Sequence, residues 1–283
     1  MLKRVDSLNY AVPTEGQPES ARLLERDGHF VLRNGLAPDS VGSLREELLR
    51  LYAETPADMR PSATSPEIGA MYRYDVFNRS PLSQHTIADR AILDVVEPLL
   101  GEDCHVIACT AWNNPPGESL TPHGIQWHVD GGPHVPRAPG TDWPDNIPYP
   151  VFAISSHIYL SDVGEADGPT ACIPGSHTSG CVPPLDAQMD DALSYRGKSA
   201  VRHIVHAGDI DFRVSDVWHR RWPPTTESRG RLFLQTTYAR RDIAQRLLDS
   251  HTHHHATAEA LQRCRNARER RLLGEHPAAF YDA

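Results

Sequence analysis

An imidazole and a carboxylate stand two residues apart in the run IQWHVDG, as His128 and Asp130. β-Branched and aromatic residues make this run an expected strand, and side chains two apart on a strand share a face. A second His from a neighbouring strand would complete a three-ligand face on a metal and leave other coordination positions open. Two His and one carboxylate with open positions form the donor set of non-haem Fe(II) oxygenases. In a chain with sixteen His, one H-x-D pair carries little weight by itself. Its company adds the weight: His219 follows far downstream in GDIDFRVSDVWHRRW, and Arg229 and Arg231 come just before the apolar run LFLQTTYA. A guanidinium ahead of a barrel strand offers a planar fork of donors, which suits the distal carboxylate of 2-oxoglutarate in a mostly apolar cavity. Arg229 and Arg231 have the same parity on an extended chain, so facing does not separate them.

These residues need a scaffold that brings distant strands together, and the pattern along the chain supplies one. SARLLER (20–26) reads as a short helix closed by Gly28 and followed by a strand, HFVLRNG. Asp39 or Ser40 is placed to cap a helix whose apolar residues Val41, Leu44, Leu48 and Leu51 recur at helical spacing. A third helix is expected over about 86–97, stopping near Pro98 and Gly101. From 104 to 241 the character changes to short β-type segments: HVIACTAWN, IQWHVD, VFAISSHIYL, ACIPG, RHIVHA, IDFRV and RLFLQTTYA, divided by Gly, Pro and Asp clusters. That pattern predicts an antiparallel barrel or jelly roll. A tail at 243–273 returns to helix. With no repeat or low-complexity linker, one domain over 1–283 is expected: a helical part at about 15–101, a β core at 104–241 and the C-terminal helices.

Four landmarks occur in an order that resembles the phytanoyl-CoA dioxygenase family of Fe(II)/2-oxoglutarate-dependent oxygenases. LLERDGHFVLRNGLAPDSVGSLREEL is similar to the family's N-terminal helix, strand and helix; then come H-x-D, the PGSH element within IYLSDVGEADGPTACIPGSHTSG, and GDIDFRVSDVWH. The resemblance implies a mainly β chain with flanking helices, folded as a double-stranded β-helix (cupin-like jelly roll). It also implies iron on His128, Asp130 and His219, with an Arg on the co-substrate. Arg231 fits the family's register better than Arg229. Gln126, Asn113 and Asn114 sit where related proteins place co-substrate or substrate contacts. Small polar residues often follow the second His in the family, whereas Arg220, Arg221 and Trp222 follow it here. The implied activity is hydroxylation of an unactivated C–H bond of a small molecule, consuming Fe(II)-bound 2-oxoglutarate and O2 and releasing succinate and CO2. Asp130 argues against halogenation, which needs that carboxylate replaced by a small residue. Desaturation or ring formation would use the same triad. Two other classes stay open: a cupin-type metal-dependent hydrolase or lyase using the same ligands to activate water, and a non-catalytic ligand-binding relative.

The remaining features bound the setting. Net charge is −9, so no basic field exists to hold nucleic acid or an anionic membrane. The N-terminal MLKRVDSLNYAVPTEG lacks the apolar core of a signal peptide and no stretch is long enough for a membrane span, so a cytoplasmic protein, monomer or homodimer, is expected. Five Cys without a C-x-x-C read as reduced, mostly buried thiols. Two Pro-rich segments, 55–70 and 131–150, are long enough to form a lid or a substrate wall, with His134 and Trp143 as candidate substrate contacts. His177 of PGSH is expected to hold a turn. Trp127 and Trp218 should face away from the metal into packing against helices. The His251–His255 cluster and the Arg-rich stretch 263–271 read as solvated surface.

Overall fold

The computed structural model describes residues 18–56, 69–117, 125–141, 143–144, 147–244 and 256–277. The His251–His255 cluster, the first seventeen residues and most of the 55–70 segment lie outside them. The described elements run α1 (Glu19–Asp27), β1 (His29–Leu32), α2 (Pro38–Glu54), β2 (Tyr72–Tyr74), α3 (Val76–Arg79), α4 (Pro81–Thr86), α5 (Arg90–Leu100) and β3 (His105–Asn114). They continue with β4 (Ala153–Tyr159), β5 (Thr170–Cys172), β6 (Ser194–Tyr195), β7 (Lys198–Ser199), β8 (Val201–His203), β9 (Ile210–Val214), β10 (His219–Arg221) and β11 (Arg231–Ala239). Helices α6 (Ala258–Gln262) and α7 (Ala267–Leu272) close the described chain.

Two antiparallel sheets face each other, one of six strands in the order β1-β9-β4-β11-β3-β2 and one of three in the order β10-β5-β8. This is the expected jelly roll. Period-2 alternation divides the large sheet cleanly. Leu232 and Leu234 of β11, Ile154 and Ile158 of β4 and Phe212 of β9 share one hydrophobic cluster with Leu44 and Leu48 of α2 and Ile92 and Val96 of α5. The opposite face carries Arg231, Phe233 and Gln235, whose cross-strand partners are Asn114, Trp112 and Thr110 on β3. Ser155, His157 and Tyr159 of β4 and Asp211 and Arg213 of β9 continue that face. The apolar side therefore holds the helices, and the polar side lines the interior of the roll.

Several local expectations need correction. Helix α2 starts at Pro38, with Ala37 as an N-cap that makes no side-chain bond, instead of being capped by Asp39 or Ser40; a Pro at the first helical position has its φ already set. Pro98 lies inside α5, which runs to Leu100 with its N-terminus capped by Asp89. IQWHVD is not a strand. Its backbone bonds go to three places, Trp127 N–H to Gln188, His128 N–H to His219 and Asp130 N–H to Ser215, so no continuous ladder forms. HFVLRNG forms the expected strand as β1, at one edge of the large sheet, whereas β2 at the other edge was not expected. All five Cys are free, with Cys104, Cys109 and Cys172 buried. No described helix is long and apolar enough to cross a membrane.

Candidate metal and co-substrate site

Strand β10 is only three residues long, yet it fixes one side of the site. His219 and His128 are opposed in an isolated antiparallel bridge, each backbone N–H donating to the other's carbonyl at 3.0 Å. Their rings lie 4.3 Å apart, centroid to centroid. The Nδ1 of His128 is 2.7 Å from the Gln126 carbonyl, and that of His219 is 2.9 Å from the Val217 carbonyl. A carbonyl only accepts, so each Nδ1 carries the proton and each Nε2 presents its lone pair to the interior. Asp130 Oδ1 completes the group, 3.4 Å from His219 Nε2 and 3.8 Å from His128 Nε2. Its other oxygen accepts from the Ser155 hydroxyl at 3.3 Å. The ligand atoms of all three residues lie within 4.8 Å of one another, a spacing that one ion can span.

Electrostatics keep His128 and Asp130 in the states a cation requires. Burial, reinforced by His219, pushes the His128 imidazole down to about 4, so it is neutral at physiological pH. Burial alone would raise the Asp130 carboxyl, but His219, His128 and Arg213 hold it well below the usual carboxylate range. Two imidazole nitrogens and a carboxylate are a donor set that fits a divalent cation.

Arg231, at the start of β11, lines the same cavity as the triad. It is 6% exposed; its Nε donates to Asn114 Oδ1 (2.7 Å), one terminal nitrogen donates to the Gly168 carbonyl (2.9 Å), and it lies against the Phe233 ring. Burial pushes its guanidinium down to about 10. A buried cation whose described partners are all neutral is left uncompensated at the inner end of the cavity and calls for an anion there, which a distal carboxylate would supply.

The other sequence candidates divide. Asn114 lines the cavity and positions Arg231. Arg229 does not: it points outward and pairs with Asp167 at 2.7 Å, with its own N–H on the same carboxylate. The shared parity failed to separate the two Arg because the chain turns at Gly230, where φ is +79°. Asn113 faces away from the cavity, opposite Leu232. Gln126 acts through its carbonyl, its side chain being exposed. His134 is held by Asp216 at 2.6 Å, and Trp143 lies in an outer groove with Tyr149. No described residue of 131–150 lines the triad cavity. His177 holds a turn as expected, with Nε2 on the Glu25 carbonyl at 2.9 Å. Trp127 and Trp218 do pack away from the triad, although their neighbours are Ala171, Ile173 and Tyr195 and not helices. The Arg of 263–271 are not merely solvated: Arg268 pairs with Glu97 (2.7 Å) and donates to the Cys104 carbonyl.

Cavity residues that sequence reasoning passed over include Tyr72, Trp112, His157, Thr170, Arg213 and Arg221. Their signal was alternation. Two of them lie at the parity of a candidate on their own strand: Arg221 two after His219, Trp112 two before Asn114. Arg213 is neutralised by Asp211 at 2.8 Å and also contacts His157 at 2.9 Å. Burial and then Arg231 push Arg221 down to about 9.

Over residues 24–231 the chain matches the phytanoyl-CoA dioxygenase (PhyH) family. The chain belongs to that family. It is 27% identical over 186 residues to the ectoine dioxygenase of Sphingopyxis alaskensis and 29% over 181 residues to that of Stutzerimonas stutzeri. Each match covers 62% of this chain and 56% of the relative, so the chain spans little more than half the length of these curated relatives. Among solved structures, EctD from S. alaskensis in its apo form superposes with a TM-score of 0.64 at 22% identity, covering 85% of this chain and 84% of that one. HygX from Streptomyces hygroscopicus, with nickel and 2-oxoglutarate bound, superposes with a TM-score of 0.58 at 19% identity, covering 80% and 88%. These neighbours share the PhyH family's jelly-roll fold.

Proposed function

We propose that this PhyH-family protein is a non-haem Fe(II)/2-oxoglutarate-dependent dioxygenase that hydroxylates an unactivated C–H bond of a small molecule. The observation that carries this reading is the convergence of His128, Asp130 and His219 in one cavity with a buried, uncompensated Arg231. Iron and 2-oxoglutarate, when bound, supply the oxidising chemistry, in which substrate, O2 and 2-oxoglutarate become hydroxylated product, succinate and CO2.

The chain's own contribution is placement and exclusion. His128 and His219 are locked in the Nε2-ligating orientation by the carbonyls of Gln126 and Val217. Ser155 takes one oxygen of Asp130 and turns the other inward. Arg231, braced by Asn114 and the Gly168 carbonyl, would hold the far carboxylate of the co-substrate. Trp112 and Phe233, stacked at 5.6 Å, line that end of the cavity.

Candidate substrates incubated with the protein, Fe(II), 2-oxoglutarate and isotopically labelled O2 test the reading. Hydroxylation predicts succinate release together with product carrying one labelled oxygen. Product lacking two hydrogens would redirect the assignment to desaturation or ring closure. Turnover that proceeds without O2 and without 2-oxoglutarate would overturn it in favour of metal-assisted hydrolysis or elimination.

A further inference from the structure

Five arginines lie in or beside the cavity, and their partners separate them. Arg213 pairs with Asp211 at 2.8 Å and Arg229 with Asp167 at 2.7 Å. Arg220 points to the outer side of β10, stacks on Trp127 (4.6 Å) and Trp222 (4.3 Å), and pairs with Asp191. Arg221 and Arg231 remain. Among the described residues neither has a carboxylate in ion-pair range. Arg221 donates to the Asp167 carbonyl at 3.2 Å, and Arg231 to Asn114 and to the Gly168 carbonyl. The two guanidinium groups are thus anchored on adjoining carbonyls of one turn, both side chains 6% exposed, and both line the cavity.

The turn is shaped for this approach. Gly168 has φ of +73°, and a Cβ there would come within 2.7 Å of Arg221 Nε. That Nε is itself buried and without a hydrogen-bond partner. Register then sets direction: Arg221 opposes Thr170 as His219 opposes Cys172, so Arg221 faces the same interior as the metal ligand. Two buried like charges with only neutral partners are costly to hold close together, and one shared anion removes the repulsion while using donors from both forks.

We propose that Arg221 and Arg231 form a two-guanidinium seat for a single carboxylate, the distal one of the co-substrate, and that the cavity therefore selects a 2-oxo dicarboxylic acid over a 2-oxo monoacid. This rests on the assignment of 2-oxoglutarate above and adds a second residue to its recognition.

Calorimetric titration of the Ni(II)-loaded protein with 2-oxoglutarate and with 2-oxopentanoate separates the contributions, since the two ligands share the 2-oxo-acid end and differ in the distal carboxylate. Arg221→Gln is expected to weaken 2-oxoglutarate about 10- to 100-fold. It should leave 2-oxopentanoate within about twofold of wild type, a single neutral side chain being the only change near it. Arg221→Lys should recover part of the loss. The same Arg221→Gln substitution should raise the Tm of the ligand-free protein, because it removes an uncompensated buried charge; a variant too unstable to purify would contradict the proposal. Unchanged 2-oxoglutarate affinity, or an equal loss for both ligands, would overturn it. So would intact 2-oxoglutarate affinity with lost turnover, which would move Arg221 to the primary substrate. Wild-type protein that binds neither ligand would instead count against the dioxygenase assignment itself.

Discussion

At the scale of single residues, ligand chemistry and co-substrate recognition lie in different parts of the fold and respond separately to substitution. Arg231→Gln removes the inner cation and should raise the KM for 2-oxoglutarate about 100-fold, the worth of one or two charge-assisted hydrogen bonds. Arg229→Gln should leave that KM within about twofold, since its guanidinium is two-thirds exposed and committed to Asp167. Steady-state kinetics with 2-oxoglutarate as the varied substrate checks both, and equal effects would contradict the separation. The triad was legible in the sequence from residue type and order, H-x-D followed far downstream by a second His, and not from strand parity, since the segment bearing His128 and Asp130 forms no ladder. Asn113 was chosen by resemblance to the family, and His134 and Trp143 by their place in the Pro-rich segment 131–150. Neither ground predicts facing: Asp216 captures His134, and Asn113 has the wrong parity.

At the scale of elements, the site depends on how short segments are held. The loop bearing His128 and Asp130 has no ladder of its own, and its geometry comes from bonds to Gln188, His219 and Ser215. Val217, whose carbonyl orients His219, in turn packs against the junction of α1 and β1 at Gly28. There φ is +81°, and a Cβ would lie 2.6 Å from His177 Nδ1 and 2.9 Å from Val217 Cγ2. Gly28→Ala is therefore expected to cost more than about 1 kcal/mol of stability and also to weaken metal binding. Thermal denaturation with and without Ni(II) measures both, and a variant as stable as wild type would refute the packing argument. The long helices and strands were readable from periodicity, which survives burial of a whole face. The short ones were not. Strand β10 has three residues and Arg220 and Arg221 among them, and IQWHVD reads as a strand although its hydrogen bonds scatter. Sequence reports the pattern of side chains and not where each backbone bond goes.

At the scale of the whole molecule, the polar interior of the roll makes stability depend on pH. Burial pushes His177 down to about 4, and burial with the neighbouring His203 does the same to His29. Burial beside Arg213 holds His157 well below its ordinary value. These imidazoles bind protons more readily in the unfolded chain. Their stabilising contribution is therefore full above about 6.5 and is lost as pH falls toward 4. Fully buried His177 alone accounts for about 3 kcal/mol over that window. Asp211, whose carboxyl His203 and Arg213 hold down against the effect of burial, loses its contribution only at pH below the ordinary carboxylate range. Urea denaturation between pH 7 and 4.5 should show a steady fall, and a flat profile would show that these His are not neutral in the folded state. The central claim, that the interior of this roll holds iron and 2-oxoglutarate together, is tested most directly by spectroscopy. Fe(II) and 2-oxoglutarate are added without oxygen to the metal-free protein, and to its His219→Ala variant. A visible charge-transfer band in the wild type that is lost in the variant is the predicted result. No band in the wild type, or an equal band in both, would contradict the account.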